Sequence, residues 1–182
     1  MRELVFFLEE ESAKILLQAL MPRLVTPHYP VRYVVFEGKQ DLERQLERKL
    51  KAYINPDASF MILRDKDSSD CLNVKNGLKT ICLSAGKTQT TIRIACHEIE
   101  SWYLADMEAL GRAYAKDLAH YQTRKKFRNP DELGNPVEEL KRLIPEYQKI
   151  DGSRRIGSFL DIRNARSRSF SHFISAIVRE AE

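Results

Sequence analysis

Two kinds of hydrophobic pattern alternate along the chain. Short apolar runs recur at 4–8 (Leu-Val-Phe-Phe-Leu) and 60–63, unbroken, and at 31–36 and 90–95, each interrupted by an arginine. All four predict strands, and the unbroken runs at 4–8 and 60–63 predict strands covered on both faces. Between them the apolar residues recur at helical spacing. Ile15, Leu16, Ala19 and Leu20 predict a helix that ends or bends near Pro22. Leu42, Leu46, Leu50 and Ile54 form the stripe of a highly charged helix over 41–54, stopped by Pro56. Val74, Leu78 and Ile81 mark a third helix over 73–82, closed by Gly86. Ile99, Trp102 and Tyr103 fall at i, i+3 and i+4 and predict a helix over 97–106 with two aromatic core anchors, continued or restarted over 107–118. Beyond it lie a polar, basic stretch over 120–136, a short helix over 137–147, a basic loop around Arg154 and Arg155, and a last helix over 169–179.

Strands alternating with helices imply right-handed β-α-β crossovers. The expected fold is therefore α/β, a three-layer α/β/α sandwich with a mainly parallel sheet of about four strands. A core over 1–118 would carry a helical, basic extension over 119–182, packed on it within a single domain.

Composition narrows this only a little. With 43% hydrophobic and 31% charged residues, the chain is an ordinary globular sequence. Thirty basic residues against 26 acidic ones give a formal charge of +4, which is compatible with an anionic partner without demanding one. Three cysteines, Cys71, Cys82 and Cys96, form no Cys-x-x-Cys pair, which argues against a disulfide framework and against a zinc site. Glu9, Glu10 and Glu11 cut the first apolar run short, so no signal peptide is expected. No apolar stretch of about 20 residues predicts a membrane span. The expected home is a reducing cytoplasm.

The acidic residues carry the candidate chemistry. Ligands of parallel α/β sheets collect outside the carboxyl ends of the strands. Glu9 directly follows the first strand, Asp65 and Asp67 close the third, and Glu98 and Glu100 follow the fourth. Alternate residues of an extended chain share a face, so Asp65 and Asp67 can project together. Two adjacent carboxylates suit a hydrated Mg²⁺ or Mn²⁺ ion, which prefers oxygen ligands. For Asp-x-Asp by itself the plainer account is a polar loop leaving a core strand. For Glu10, Glu11 and Asp70 the favourable helix N-terminus is account enough. Glu98 and Glu100 can act together only if Glu98 sits in the turn before its helix; otherwise Glu100 is a solvated helix charge. Arg64 and Lys66 flank the acids and either neutralise phosphate or pair with the carboxylates. Arg154, Arg155, Arg166 and Arg168, interleaved with Ser and Gly, could track a nucleic-acid backbone.

A glutamate after the first strand with Asp-x-Asp closing a later one resembles the Toprim fold of topoisomerases, DnaG-type primases and overcoming-lysogenization-defect (OLD) nucleases. In that family the glutamate opens Glu-Gly-x-x-Asp; Glu9-Glu10-Glu11-Ser12-Ala13 lacks the glycine and the aspartate. The chain also resembles a bacterial family of small Toprim-like proteins, domain of unknown function 4276. Its hallmarks stand here as Phe7-Leu-Glu-Glu-Glu-Ser-Ala-Lys14, Glu37-Gly-Lys-Gln-Asp41, Leu63-Arg-Asp-Lys-Asp-Ser-Ser-Asp-Cys71, the block from Arg93 to Asp106, and Arg166-Ser-Arg-Ser-Phe170. The resemblance implies a Toprim-like sandwich and a Mg²⁺- or Mn²⁺-dependent phosphodiesterase or nuclease. Glu9, Asp65 and Asp67 would be its catalytic metal ligands, and Glu98 and Glu100 are similar to second-metal ligands of OLD-type nucleases. It further implies a nucleic-acid partner, DNA before RNA, and an AAA-type ATPase partner in a phage-defence system. The alternative, favoured by the missing glycine and aspartate, is a non-catalytic Toprim-like module that binds and regulates such an ATPase or nucleic acid.

Overall fold

A computed structural model describes residues 2–67 and 69–182. Four strands, β1 (Glu3–Leu8), β2 (Val31–Val35), β3 (Ala58–Asp65) and β4 (Thr91–Ala95), form one sheet in the order β2-β1-β3-β4. All neighbours run parallel, with Leu8 opposite Val35 and Leu63, and Asp65 opposite Ala95. Helix α1 (Glu11–Leu20) links β1 to β2, α2 (Lys39–Lys51) links β2 to β3, and α3 (Cys71–Ser84) links β3 to β4. After β4 come α4 (Glu100–Leu104), α5 (Met107–Tyr114), α6 (Pro136–Leu143), α7 (Lys149–Gly157) and α8 (Arg168–Ala181). The stretch between α5 and α6 makes three short 3-10 turns, Ala119–Thr123, Lys125–Phe127 and Pro130–Glu132.

The unbroken apolar runs have a direct cause. Successive residues of β1 point to opposite faces, and both faces are covered. Val5 and Phe7 pack with Leu42, Leu46 and Leu50 of α2 and with Val74 and Leu78 of α3. Leu4, Phe6 and Leu8 face the opposite core, built by α1 and by α4 to α8. Phe127, Leu140, Tyr147, Ile156 and Phe170 lie in that second core, so residues after 118 complete the layer over one sheet face. The result is the three-layer α/β/α sandwich.

Several elements differ in extent from the pattern. Helix α2 stops at Lys51, and Ile54 stands 94% exposed beyond it instead of closing the apolar stripe. The residue before a proline is biased away from helix, and Asn55 precedes Pro56. The predicted 97–106 helix is a five-residue helix, α4, entered through His97 in a left-handed conformation (φ 60°). Arg154 and Arg155 lie inside α7 and not in a loop. The glycines around them allow close packing: a Cβ on Gly152 would stand 2.1 Å from the Tyr147 ring, and one on Gly157 2.8 Å from Ala19 Cβ on α1.

The topology also fixes where a ligand belongs. From β1 the chain steps outward to β2 with α1 on one face; from β3 it steps the other way to β4 with α3 on the opposite face. The carboxyl ends of β1 and β3 therefore flank a crevice at the switch point, the usual ligand position in open parallel sheets. Glu9 and Asp65 stand there.

Candidate active site

Glu9 spans the crevice. Its Oε2 accepts the backbone N–H of Asp65 at 3.3 Å and lies 3.8 Å from Arg64 Nε. Burial, then the charge of Asp67, raises the Glu9 carboxyl above its usual range, while the Asp65 amide and Arg64 partly offset this.

Strand parity separates the residues at the end of β3. Asp65 shares a side with Met61 and Leu63, facing α1 and α4 to α8; Arg64 shares a side with Phe60 and Ile62, facing α2 and α3. Arg64 is accordingly buried and held by Glu43 of α2. It pairs with acids and presents no free guanidinium to a phosphate.

Asp65 enters a group of acids of which it and Glu100 are buried and Glu9 and Glu10 half-buried. Burial, and then the charges of Glu100, Glu10 and Glu9, lift its carboxyl well above the usual range. Glu100 is fully buried at the start of α4, so it is not a solvated helix charge. Its Oε1 accepts the Tyr147 hydroxyl at 2.8 Å, and its buried Oε2 has no hydrogen-bond partner among the described residues. Burial raises the Glu100 carboxyl too, against the opposing effect of Lys149. Lys149, the first residue of α7, brings the compensating charge, with Nζ 3.4 Å from both Glu10 oxygens. Burial alone would lower its pKa, but the combined field of four carboxylates, Glu100, Glu10, Asp65 and Glu98, outweighs burial and raises it. Glu10 also accepts the Ser12 hydroxyl, so it serves the cluster as well as the start of α1.

The outer lip is built from two residues in left-handed backbone, Asp67 (φ 53°) and His97 (φ 60°), whose chains are joined by Asp67 N–H donating to His97 O at 2.9 Å. Such conformations in non-glycine residues cost of order 1–3 kcal/mol and gather at functional sites. Because β3 ends at Asp65, Asp67 does not continue its alternation. Its carboxylate pairs with Lys39 at the start of α2, at 2.8 Å. Glu98 stands in the turn before α4, as joint action with Glu100 requires, and its charge acts on Glu100. Asp67, His97 and Glu98 line a cavity of about 480 Å³ with Asn135 and Glu138. Ser68, inside the Asp-x-Asp motif block, lies outside the described residues.

Of the basic candidates, Lys66 is half-buried beside this lip, and its backbone N–H donates to Ala95 O at 2.9 Å. Arg154 and Arg155 are exposed on α7, both within ion-pair reach of Asp151. Arg166 and Arg168 are exposed before and at the start of α8. Sequence reasoning missed Lys149, Tyr147, Lys39 and Glu43. No local pattern marks the first two: Tyr147 meets Glu100 from 47 residues away, and Lys149 meets Glu10 from 139.

Among the described residues, no group of three or more His, Cys, Asp or Glu side chains is already arranged as a metal site. The chemistry of the donor set nevertheless fits a hard cation. Carboxylates outnumber ammonium groups, they are desolvated, and one Glu100 oxygen is orphaned. Mg²⁺ and Mn²⁺ favour such oxygens.

Fold and site together define an α/β protein with an acidic crevice at the switch point of a parallel sheet. The chain belongs to the family described as "Domain of unknown function (DUF4276)", whose model matches residues 8–178. Neither curated proteins nor solved structures gave a match.

Proposed function

We propose that this chain is a divalent-metal-dependent phosphodiesterase of Toprim type, acting on nucleic acid, DNA before RNA. The observation that carries it is the convergence of Glu9, Asp65 and Glu100 from three strand ends into one desolvated cluster. Asp65, Glu9 and Glu100 would hold Mg²⁺ or Mn²⁺, with Asp67 and Glu98 at the open lip. The ion, when bound, supplies a Lewis acid for a phosphoryl oxygen and makes a bound water more acidic. Glu9, its pKa raised, is suited to take a proton from the attacking water. Lys149 limits the repulsion within the cluster, and Lys39 orients Asp67. Incubation of the purified chain with DNA and with RNA in Mn²⁺ tests this. Cleavage lost in Asp65→Ala and in Asp67→Ala is expected; cleavage unchanged in both rules the reading out.

A second reading is favoured by a specific observation. Lys149 and Lys39 already neutralise parts of the acidic set, and the first motif lacks its glycine and aspartate. The chain would then be a non-catalytic Toprim-like module regulating an AAA-type ATPase or nucleic acid, rather than the effector of such an ATPase-paired defence system. Partner binding that survives loss of the acids supports it; metal-dependent cleavage by the isolated chain defeats it.

A further inference from the structure

A second cleft, lined by other residues than the acid cluster, lies at the edge of the sheet. It has a volume of about 720 Å³ and runs between the edge strand β4 and helix α8. Its floor is apolar, made by Ile92, Ile94 and Ala176, and its walls carry Lys75, Arg93, Arg168 and Arg179. Two acids line it as well, Asp131 and the exposed Glu132, against these four cations. Asp131 is taken up at the start of α8, accepting from Ser167 Oγ at 2.6 Å and from the Ser169 amide at 2.8 Å. Among the described residues, Lys75 and Arg168 have no carboxylate partner, and Arg179 has only Glu180, at 3.5 Å. The Arg93 guanidinium is spent on two carbonyls, those of His172 and Ile92. Burial, then the neighbouring charge of Arg179, lowers its pKa.

The spacing selects the kind of anion. Arg168 and Arg179 lie at opposite ends of α8, eleven residues apart, or about 16 Å at the helical rise. One phosphate cannot bridge that distance; an extended chain of phosphates can. The direction is fixed as well. Glu180, next to Arg179, accepts from Thr91 Oγ1 at 2.6 Å, at the amino end of β4. The other end of α8 lies by the carboxyl end of β4, where Ser169 and Cys96 line the same cleft. Cys96 lines this cleft, and the next residues, His97 and Glu98, line the cavity at the acidic lip. The row of cations thus leads onto the lip.

We infer that the cleft between β4 and α8 is a track for single-stranded nucleic acid, gripping its phosphates with Lys75, Arg168 and Arg179 and delivering the strand to Glu98 and Asp67. The delivery step rests on the phosphodiesterase reading; the grip does not. The apolar floor accepts unstacked bases, as grooves for single strands commonly do.

The test is fluorescence anisotropy of the full chain with a labelled 16-nucleotide oligo-dT, in EDTA, over a series of KCl concentrations. Each phosphate contact contributes about −0.7 to the slope of log affinity against log salt for a single strand. The variant Arg168→Glu/Arg179→Glu, checked for fold by circular dichroism, is expected to bind at least tenfold more weakly, with a slope shallower by about 1.4. A control, Lys49→Glu/Lys141→Glu, reverses two exposed cations outside the cleft and is expected to stay within twofold of wild type. Equal loss in both variants, or no loss in the first, overturns the track. Displacement of the oligonucleotide by poly-glutamate at equal charge concentration also overturns it, in favour of an acidic protein partner. Because no metal is present, failure here leaves the Asp65→Ala cleavage test standing, and failure of that test leaves the track standing.

Discussion

Asp65→Asn keeps the size of the side chain and removes its charge. Among the described residues no hydrogen bond to the Asp65 carboxylate is found, so the substitution breaks none; what it removes is a buried charge facing Glu100, Glu10 and Glu9. The folded pKa of Asp65 is raised, so the folded state holds the proton more tightly than the unfolded chain does. Its contribution to stability is then complete below the unfolded carboxylate value, about 3.9, and is lost as pH rises through the folded pKa. Each unit of such a shift corresponds to about 1.4 kcal/mol. For a chain of 182 residues, 1 kcal/mol moves Tm by roughly 2–4 °C. By scanning calorimetry in EDTA at pH 7.5, Asp65→Asn should therefore melt at least about 2–4 °C above wild type. The gap should close as pH falls toward 4. Saturating Mn²⁺ should reverse the order, because a ligand at a hundred times its Kd adds about 2.7 kcal/mol to the wild type. A variant less stable than wild type at pH 7.5, or a gap that widens on acidification, would refute the placement of Asp65 in an over-charged cluster.

Three further outcomes follow from the same geometry. Tyr147→Phe removes the hydroxyl that Glu100 Oε1 accepts and should cost about 1–3 kcal/mol in urea unfolding at neutral pH. Gly152→Ala drives a methyl group into the Tyr147 ring and should cost about 1–3 kcal/mol in the same assay. Ile54→Ser should change stability by less than about 0.5 kcal/mol, since the side chain is 94% exposed; a larger loss would restore it to the α2 stripe.

The sheet was readable because both faces of β1 and β3 are buried, which turns their sequences into unbroken apolar runs. The placement of Glu9 and Asp65 followed from the alternation of strands and helices alone. Parity within β3 also held the fate of Arg64, one residue from Asp65 and hence on the opposite face, where α2 supplies Glu43. Other features had no local signature. Asp67 leaves the strand pattern through a left-handed turn that its residue type does not announce. The glycines and serines around Arg154 resemble loop composition, yet they are small because α7 lies close to α1 and to Tyr147. Lys149 meets Glu10 only through the packing of α7 on α1, a contact that spacing along the chain cannot reveal.

Anomalous diffraction from a crystal soaked in Mn²⁺ at neutral pH addresses the central claim most directly. The expected result is an anomalous peak in the crevice between β1 and β3, about 2 Å from carboxylate oxygens of Glu9, Asp65 and Glu100. A crevice without a peak, with Lys149 still seated on Glu10, would contradict it.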